Sequence, residues 1–164
     1  MNVRGYRAID LEACRTLWVQ LTEWHRDLYG APEIGGDDPG AHFDQHLAAV
    51  GATNIWVAEC DDDVVGLVGM IPDGTQAELE PIVVSPPYRG RGIGRALVDV
   101  VIATARERGL RTVFARPAAR NAETLRFFHS RGFDVLGQVE VMYDLVSREH
   151  WRSGEQMARR EFRV

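Results

Sequence analysis

The apolar positions of this chain change period several times, and each change marks an element. Leu11, Cys14, Leu17, Trp18, Leu21, Trp24 and Leu28 recur every three or four residues, which places them on one face of a long helix. Before them, Val3 to Ile9 alternates loosely and predicts a first strand. Asp10 stands between the two, where its carboxylate can accept N–H groups that the first helical turn leaves free. Gly30 to Gly40 holds Pro32, Gly35, Gly36, Asp37, Asp38 and Pro39 and predicts an extended loop. Asp38-Pro39 then offers a cap and a first-turn proline for a second helix, with Phe43, Leu47 and Val50 facing inward.

From Asn54 the pattern turns strand-like. Ile55 to Ala58 and Val64 to Met70 predict two strands joined by a turn at Asp61-Asp62-Asp63. Pro72-Asp73-Gly74-Thr75 predicts a second turn, leading into a strand from Gln76 to Val84. These three segments read as an antiparallel meander. Helical spacing returns between Gly92 and Arg108, with Ile93, Leu97, Val100, Val101 and Thr104 on one face and Gly109 as the stop. A short strand at 112–115, a turn at Pro117 and a helix from Asn121 to Arg131, ended by Gly132, follow. One or two strands are expected within Phe133 to Val146, and a helix from Arg148 to Arg160 that docks Trp151, Met157 and Ala158. The pattern predicts an α+β fold with a mixed, mostly antiparallel sheet flanked by helices. Residues 1–146 read as its body and 147–164 as a helical tail of the same domain.

A chain of 164 residues with 45% hydrophobic and 26% charged positions is long enough to bury one substantial core. No apolar run is long enough to span a bilayer, and Met1 to Gly5 lacks the apolar segment of a signal peptide. The expectation is a cytoplasmic protein. A net charge of −5 argues against a nucleic-acid surface and for cationic partners. Cys14 and Cys60 lack metal-ligand spacing and sit among apolar neighbours, so they read as buried thiols and no metal site is expected.

The segment from Ser85 to Arg95 carries the chemistry. A strand ends at Val84, Pro86-Pro87 turns the chain, and a glycine-rich stretch opens directly into a helix. Helix N-termini present unpaired N–H donors and the positive end of a dipole. Gly90, Gly92 and Gly94 let an anion approach the backbone, and Arg89, Arg91 and Arg95 add charge. The composition suits a diphosphate. A nucleotide-hydrolase loop needs Gly-Lys-Ser/Thr, but Arg95-Ala96 follows Gly94. The dinucleotide fingerprint needs a glycine where Arg95 stands, and a parallel unit near the N-terminus.

With these alternatives gone, the segment resembles the GNAT N-acetyltransferases. Their Arg/Gln-x-x-Gly-x-Gly/Ala motif is matched by Arg89, Gly92 and Gly94. A downstream segment is matched by Asn121-Ala122 and by Phe127-Phe128-His129-Ser130-Arg131-Gly132-Phe133. The resemblance extends over nearly the whole chain except its tail. It implies acetyl-CoA as cosubstrate and a primary amine as acceptor. It further implies that Ile82, Val83 and Val84 pair through their backbone with the pantetheine arm. The amides of Gly90, Arg91, Gly92, Ile93, Gly94 and Arg95 would hold the pyrophosphate. Asn121 would hydrogen-bond the pantetheine, and Phe128 would pack beside it.

Amine attack on a thioester needs a neutral amine, and free alkyl amines titrate near ~10.4, so a base or a water relay must take a proton. Glu78 and Glu80 lie on the strand leading to the motif and share a face unless a bulge intervenes. The run Leu79 to Pro86 resembles aminoglycoside-acetylating members of the family, which have a glutamate here. Glu80 is therefore the candidate base or amine-orienting group. Many GNAT members place a tyrosine where Phe128 stands, to protonate the departing thiolate. Phe128 has no proton to give. His129 points about 100° away on a helix, Tyr88 and Tyr143 read as packing or loop residues, and water is left for that step. Glu33, Asp37 and Asp38, with Trp24, His25 and Tyr29 nearby, fall in a region that usually borders the acceptor site in this family. The leading expectation is acetylation of a small cationic amine. The alternatives are a protein lysine or N-terminal acetyltransferase, or a non-catalytic acetyl-CoA-binding module, with homodimer formation open.

Overall fold

The computed structural model describes residues 1–138 and 140, in two compact units, Met1–Arg116 and Pro117–Val164. The strands expected between 133 and 146 fall largely outside the described residues. Tyr143, the tail helix and the 146/147 boundary fall wholly outside them.

The first unit runs β1 (Asn2–Gly5), α1 (Leu11–Tyr29), α2 (Ala41–Val50), β2 (Ile55–Cys60), β3 (Asp63–Asp73), β4 (Gln76–Val84), α3 (Ile93–Glu107) and β5 (Thr112–Phe114). The five strands form one sheet in sequence order. All neighbours are antiparallel except β4 and β5, because α3 crosses over between them. The sheet is therefore mixed, with helices against it, as the periodicity predicts.

The turns follow from their residues. Cys60 pairs with Asp63, leaving Asp61 and Asp62 at φ 51° and 68°, the positive pair that a twist-matched two-residue hairpin needs. At the next turn only Gly74 and Thr75 lie outside the ladder, since Asp73 pairs with Gln76 and Pro72 with Ala77. β3 thus runs past its expected end at Met70 to Asp73, while β4 keeps the expected bounds. α3 ends as expected, with Gly109 at φ 71° and the Leu110 N–H donating to the Ala105 carbonyl at 2.9 Å.

Two layers cover the sheet. On one face Cys14 and Leu17 of α1 and Phe43 of α2 pack with Ile55, Val57, Leu67 and Val83 into a buried cluster. Burial pushes the Cys14 thiol up to about 12, so it behaves as a small hydrophobe. Cys60 is a free, half-buried cysteine. On the other face α3 comes close over Gly66, where a Cβ would stand 3.1 Å from Leu97 and 3.2 Å from Ile93.

The N-terminus departs from expectation. β1 stops at Gly5, and a single 3-10 turn, Ala8–Asp10, replaces the rest of the expected strand. Asp10 does not cap α1 with its side chain. Its carboxylate accepts the Arg7 N–H at 2.7 Å and two guanidinium bonds from Arg4, at 2.7 and 2.9 Å. Arg4 also donates to Glu59 of β2, so the acid fastens the edge strand instead.

These bonds to Arg4 hold the nearly buried Asp10 below its ordinary pKa. A lowered carboxyl contributes stability that is complete above its unfolded pKa of about 3.9 and is lost as pH falls through the folded value. Asp10→Asn should cost about 2 kcal/mol at neutral pH, because the half-buried Arg4 guanidinium loses its two shorter charged bonds and keeps Glu59 as its remaining charged partner. Acid titrations followed by circular dichroism should show the wild type losing this advantage below about pH 4 while the variant lacks it throughout.

Candidate active site

The site begins where β4 breaks its own ladder. Val68 of β3 pairs with Ile82 and Met70 pairs with Leu79, so Glu80 and Pro81 together oppose Gly69. That is a bulge, which adds a residue and bends the strand. The sequence placed Glu78 and Glu80 on one face with the proviso of a bulge, and the bulge starts at Glu80. Gly69 is what permits it. A Cβ there would lie 2.4 Å from the Glu80 carbonyl oxygen, 2.9 Å from His46 Nε2 and 3.1 Å from Pro81 Cδ.

The bend separates β4 from β5. Among the described residues, β5 pairs with β4 at Gln76, Ala77 and Glu78. Beyond Glu78, β4 has β3 on one side and, among the described residues, no ladder on the other. Ile82, Val83 and Val84 therefore lie on a strand with one open edge, able to pair with an extended amide-bearing chain.

The strand leads into the anion loop. The Ser85 N–H donates to the Val65 carbonyl at 2.9 Å, and Pro86–Tyr88 form a 3-10 turn. Arg89 Nε donates to the Val84 carbonyl at 2.9 Å, so this arginine braces the loop against the strand end. Arg91 lies over the Tyr88 ring at 5.3 Å, and Arg95 pairs loosely with Asp99 at 3.6 Å. Gly90 and Gly92 have φ 74° and 83°, and a Cβ on either would meet nothing within 4 Å. Their glycine is required by the backbone, and it leaves open space above.

α3 starts at Ile93 without a side-chain cap. The first N–H groups of a helix have no intrahelical acceptor, so those of Ile93, Gly94 and Arg95 remain available to an anion. An uncapped helix end, open glycines and three arginines fit a diphosphate.

At the bulge, Glu80 is exposed at its end, yet its pKa is raised. Partial burial is the main cause, the Glu78 charge adds to it, and Arg116 opposes it. Arg116 forms an ion pair with Glu78 and lies over the Phe114 ring at 4.6 Å. Arg116 thus pairs directly with Glu78 and also counters part of the upward shift of Glu80. Sequence reasoning missed Arg116, because nothing in the pattern aligns it with Glu78 until β5 is in register.

The loop between α1 and α2 is held by Arg26, which donates to the carbonyls of Ile34 at 2.8 Å and Gly36 at 2.6 Å. Asp38 accepts the Ala41 N–H at 3.2 Å and starts α2, two residues beyond the expected proline start. Trp24 and His25 pack edge to face at 5.1 Å, and Tyr29 is exposed. Among the described residues no cluster of three His, Cys, Asp or Glu could hold a metal ion. No described helix is long and apolar enough to cross a membrane.

The second unit contains α4 (Ala122–Ser130). Asn121 caps it: its Oδ1 accepts the Thr124 N–H at 2.9 Å, and its amide donates to the Thr124 hydroxyl. Any further contact must use the capacity that remains. Phe128 is buried, 5.0 Å from the Phe133 ring. The Phe133 N–H donates to the Phe128 carbonyl at 3.1 Å, and Gly132 has φ 91°. This is a glycine-terminated helix end with its hydrophobic clasp, which gives Phe128, Gly132 and Phe133 a structural role of their own.

Residues 18–133 match the acetyltransferase (GNAT) family. The chain belongs to that family. It is similar to human N-acetyltransferase 8, 35% identical over 89 residues, covering 51% of this chain and 39% of the relative. Rat N-acetyltransferase 8B is 33% identical over 92 residues, covering 52% and 41%. The matches thus span about two fifths of these relatives' length. Among solved structures, a GNAT acetyltransferase from Staphylococcus aureus Mu50 superposes with a TM-score of 0.66 at 18% identity, over 80% of this chain and 82% of that one. AAC(6')-Iy, in complex with the bisubstrate analog CoA-S-monomethyl-acetylneamine, gives 0.64 at 19% identity, over 88% and 98%. Ribosomal-protein-alanine N-acetyltransferase from Brucella melitensis gives 0.63 at 25% identity, over 80% and 83%. The α+β architecture expected from the sequence is the fold these structures share.

Proposed function

We propose that this chain transfers the acetyl group of acetyl-CoA to a primary amine of a small cationic molecule by direct attack. The observation that carries the reading is the open edge of β4 running from Glu80 into an uncapped α3. Ile82, Val83 and Val84 pair with the pantetheine arm, while Gly90, Arg91, Gly92, Ile93, Gly94 and Arg95 bind the pyrophosphate and Arg89 braces the loop. The family resemblance alone supports a pantetheine contact for Asn121 and Phe128. Acetyl-CoA supplies an activated thioester; the chain supplies orientation and proton handling. Glu80 receives a proton from the bound ammonium, directly or through water. The amine nitrogen then bonds to the carbonyl carbon, the C–S bond breaks, and oriented N–H groups of β4 stabilise the charge developing on oxygen. The acylated nitrogen sheds its second proton to water, which passes a proton to the departing thiolate, and Glu80 returns its own proton to solvent.

Glu80 beside Glu78 favours a cationic acceptor, and AAC(6')-Iy offers a precedent in the neamine portion of its analog. A protein acceptor is the second reading, favoured by the likeness to the ribosomal-protein-alanine enzyme. Thiol release measured across polyamines, aminoglycosides and peptides with free N-termini separates them. Rates highest with the small polycations support the first reading, and rates highest with peptides support the second.

If water protonates the thiolate, Phe128→Tyr should change kcat by less than about tenfold, or ~1.4 kcal/mol of barrier. His129→Ala should be nearly silent in the same assay. A gain of two orders of magnitude in the tyrosine variant would show that a side-chain acid is missing from the wild type.

A further inference from the structure

The last described rung of the β4–β5 ladder joins Glu78 to Phe114, and Arg116 follows two residues on. Its guanidinium returns to both members of that rung. Nη1 pairs with Oε2 of Glu78, and the group lies over the Phe114 ring at 4.6 Å. An ionic contact and a cation–π contact therefore hold one cation in one place. The Glu78 side chain is 13% exposed and that of Arg116 is 60% exposed, so solvent meets the guanidinium before it meets the carboxylate. Glu80 begins the bulge two residues along β4, no more than roughly 7 Å of strand away. It feels the charges of both Glu78 and Arg116.

We infer that Arg116 is a specificity-determining residue: a built-in cation that reserves Glu78, so that the acceptor presents one ammonium to Glu80 and carries any further positive charge away from Glu78. The inference rests on the reading of Glu80 as the group that receives the acceptor's ammonium. Two glutamates without an arginine would leave this end of the site two negative charges and a place for a compact dication. With Arg116 seated, the three side chains sum to a single negative charge, which matches a single ammonium. A second ammonium directed at Glu78 meets a guanidinium already there, and like charges at that range repel. Displacing Arg116 gives up the ring contact as well as the ion pair. An acceptor whose other charges point elsewhere loses nothing. Because Arg116 is largely exposed, solvent screens the effect and makes the discrimination one of degree.

Butylamine and putrescine share a four-carbon chain and differ by one ammonium. With the full chain and acetyl-CoA, at a pH where Glu80 is ionised, thiol release gives kcat/KM for each. Where turnover is slow, inhibition constants against the best acceptor give the same comparison. The preference for putrescine over butylamine should rise at least about tenfold in Arg116→Gln. It should stay within about threefold of wild type in Arg116→Lys, which restores the cation. In the double variant Arg116→Gln with Glu78→Gln the gain should vanish, because the vacated carboxylate is gone. Higher salt should shrink the gain in Arg116→Gln. A purely structural role would weaken both amines alike and leave the preference where it was. A preference unmoved in Arg116→Gln would overturn the inference, as would a gain that survives the loss of Glu78. Either result beside a damaged Glu80→Gln would remove only the role of Arg116. A silent Glu80→Gln, or neither amine bound or acetylated by any variant, would remove the underlying reading of the acceptor end.

Discussion

Gly92→Val should abolish measurable acetyl-CoA binding while leaving the protein folded. Gly92 immediately precedes α3 at φ 83° and ψ 0°, a conformation that costs an L-residue roughly 1–2 kcal/mol and a β-branched residue more. The valine must either hold that strain or rotate the backbone, and rotation turns away the N–H groups proposed to face the pyrophosphate. If the strain is held, the side chain enters space that is open around the ideal Cβ, where the anion would lie. Both routes lead to the same loss. Calorimetry should show affinity reduced at least about 100-fold, some 2.7 kcal/mol, with a smaller loss of stability. Gly92→Ala should fall between. Valine binding as tightly as glycine would remove the loop from the cofactor site.

Glu80→Gln should lower kcat/KM for the amine by about 100-fold or more, the usual scale for a positioned base, with acetyl-CoA affinity retained. The pH profile carries the sharper test. Only ionised Glu80 can accept a proton, so wild-type activity should rise through its pKa, above the ordinary carboxylate value because burial and Glu78 raise it. Glu80→Gln should lose that limb. Arg116→Gln should push the limb to higher pH, since Arg116 is the neighbour that lowers the Glu80 pKa. Glu78→Gln should pull it lower. A limb unmoved in all three variants would assign the proton to another group.

Much of this was legible in the residues alone. Helical spacing in α1 and α3, the glycine stop at 109, the loop opening at Gly30, and the passage from β4 into the glycine-rich loop depend on local backbone chemistry, which sequence records directly. What escaped were long-range matters. Asp10 looks like a helix cap until Arg4 folds back onto it. The bulge at Glu80-Pro81 depends on register against Gly69, and the Arg116–Glu78 pair depends on β5 lying beside β4. The segment from Phe128 to Phe133 shows a different limit. One string of residues can record a helix ending and a ligand contact together, and its pattern does not separate them.

The most direct test of direct acetyl transfer is the stoichiometry of the reaction itself. The purified chain, given acetyl-CoA and a panel of small polyamines, should release one free thiol for each acetylated amine seen by mass spectrometry, with no acetyl group left on the protein. Acetylated amine appearing with covalently acetylated protein as an intermediate would contradict direct attack. No thiol release and no acetylated amine with any polyamine, aminoglycoside or peptide would contradict the enzyme assignment.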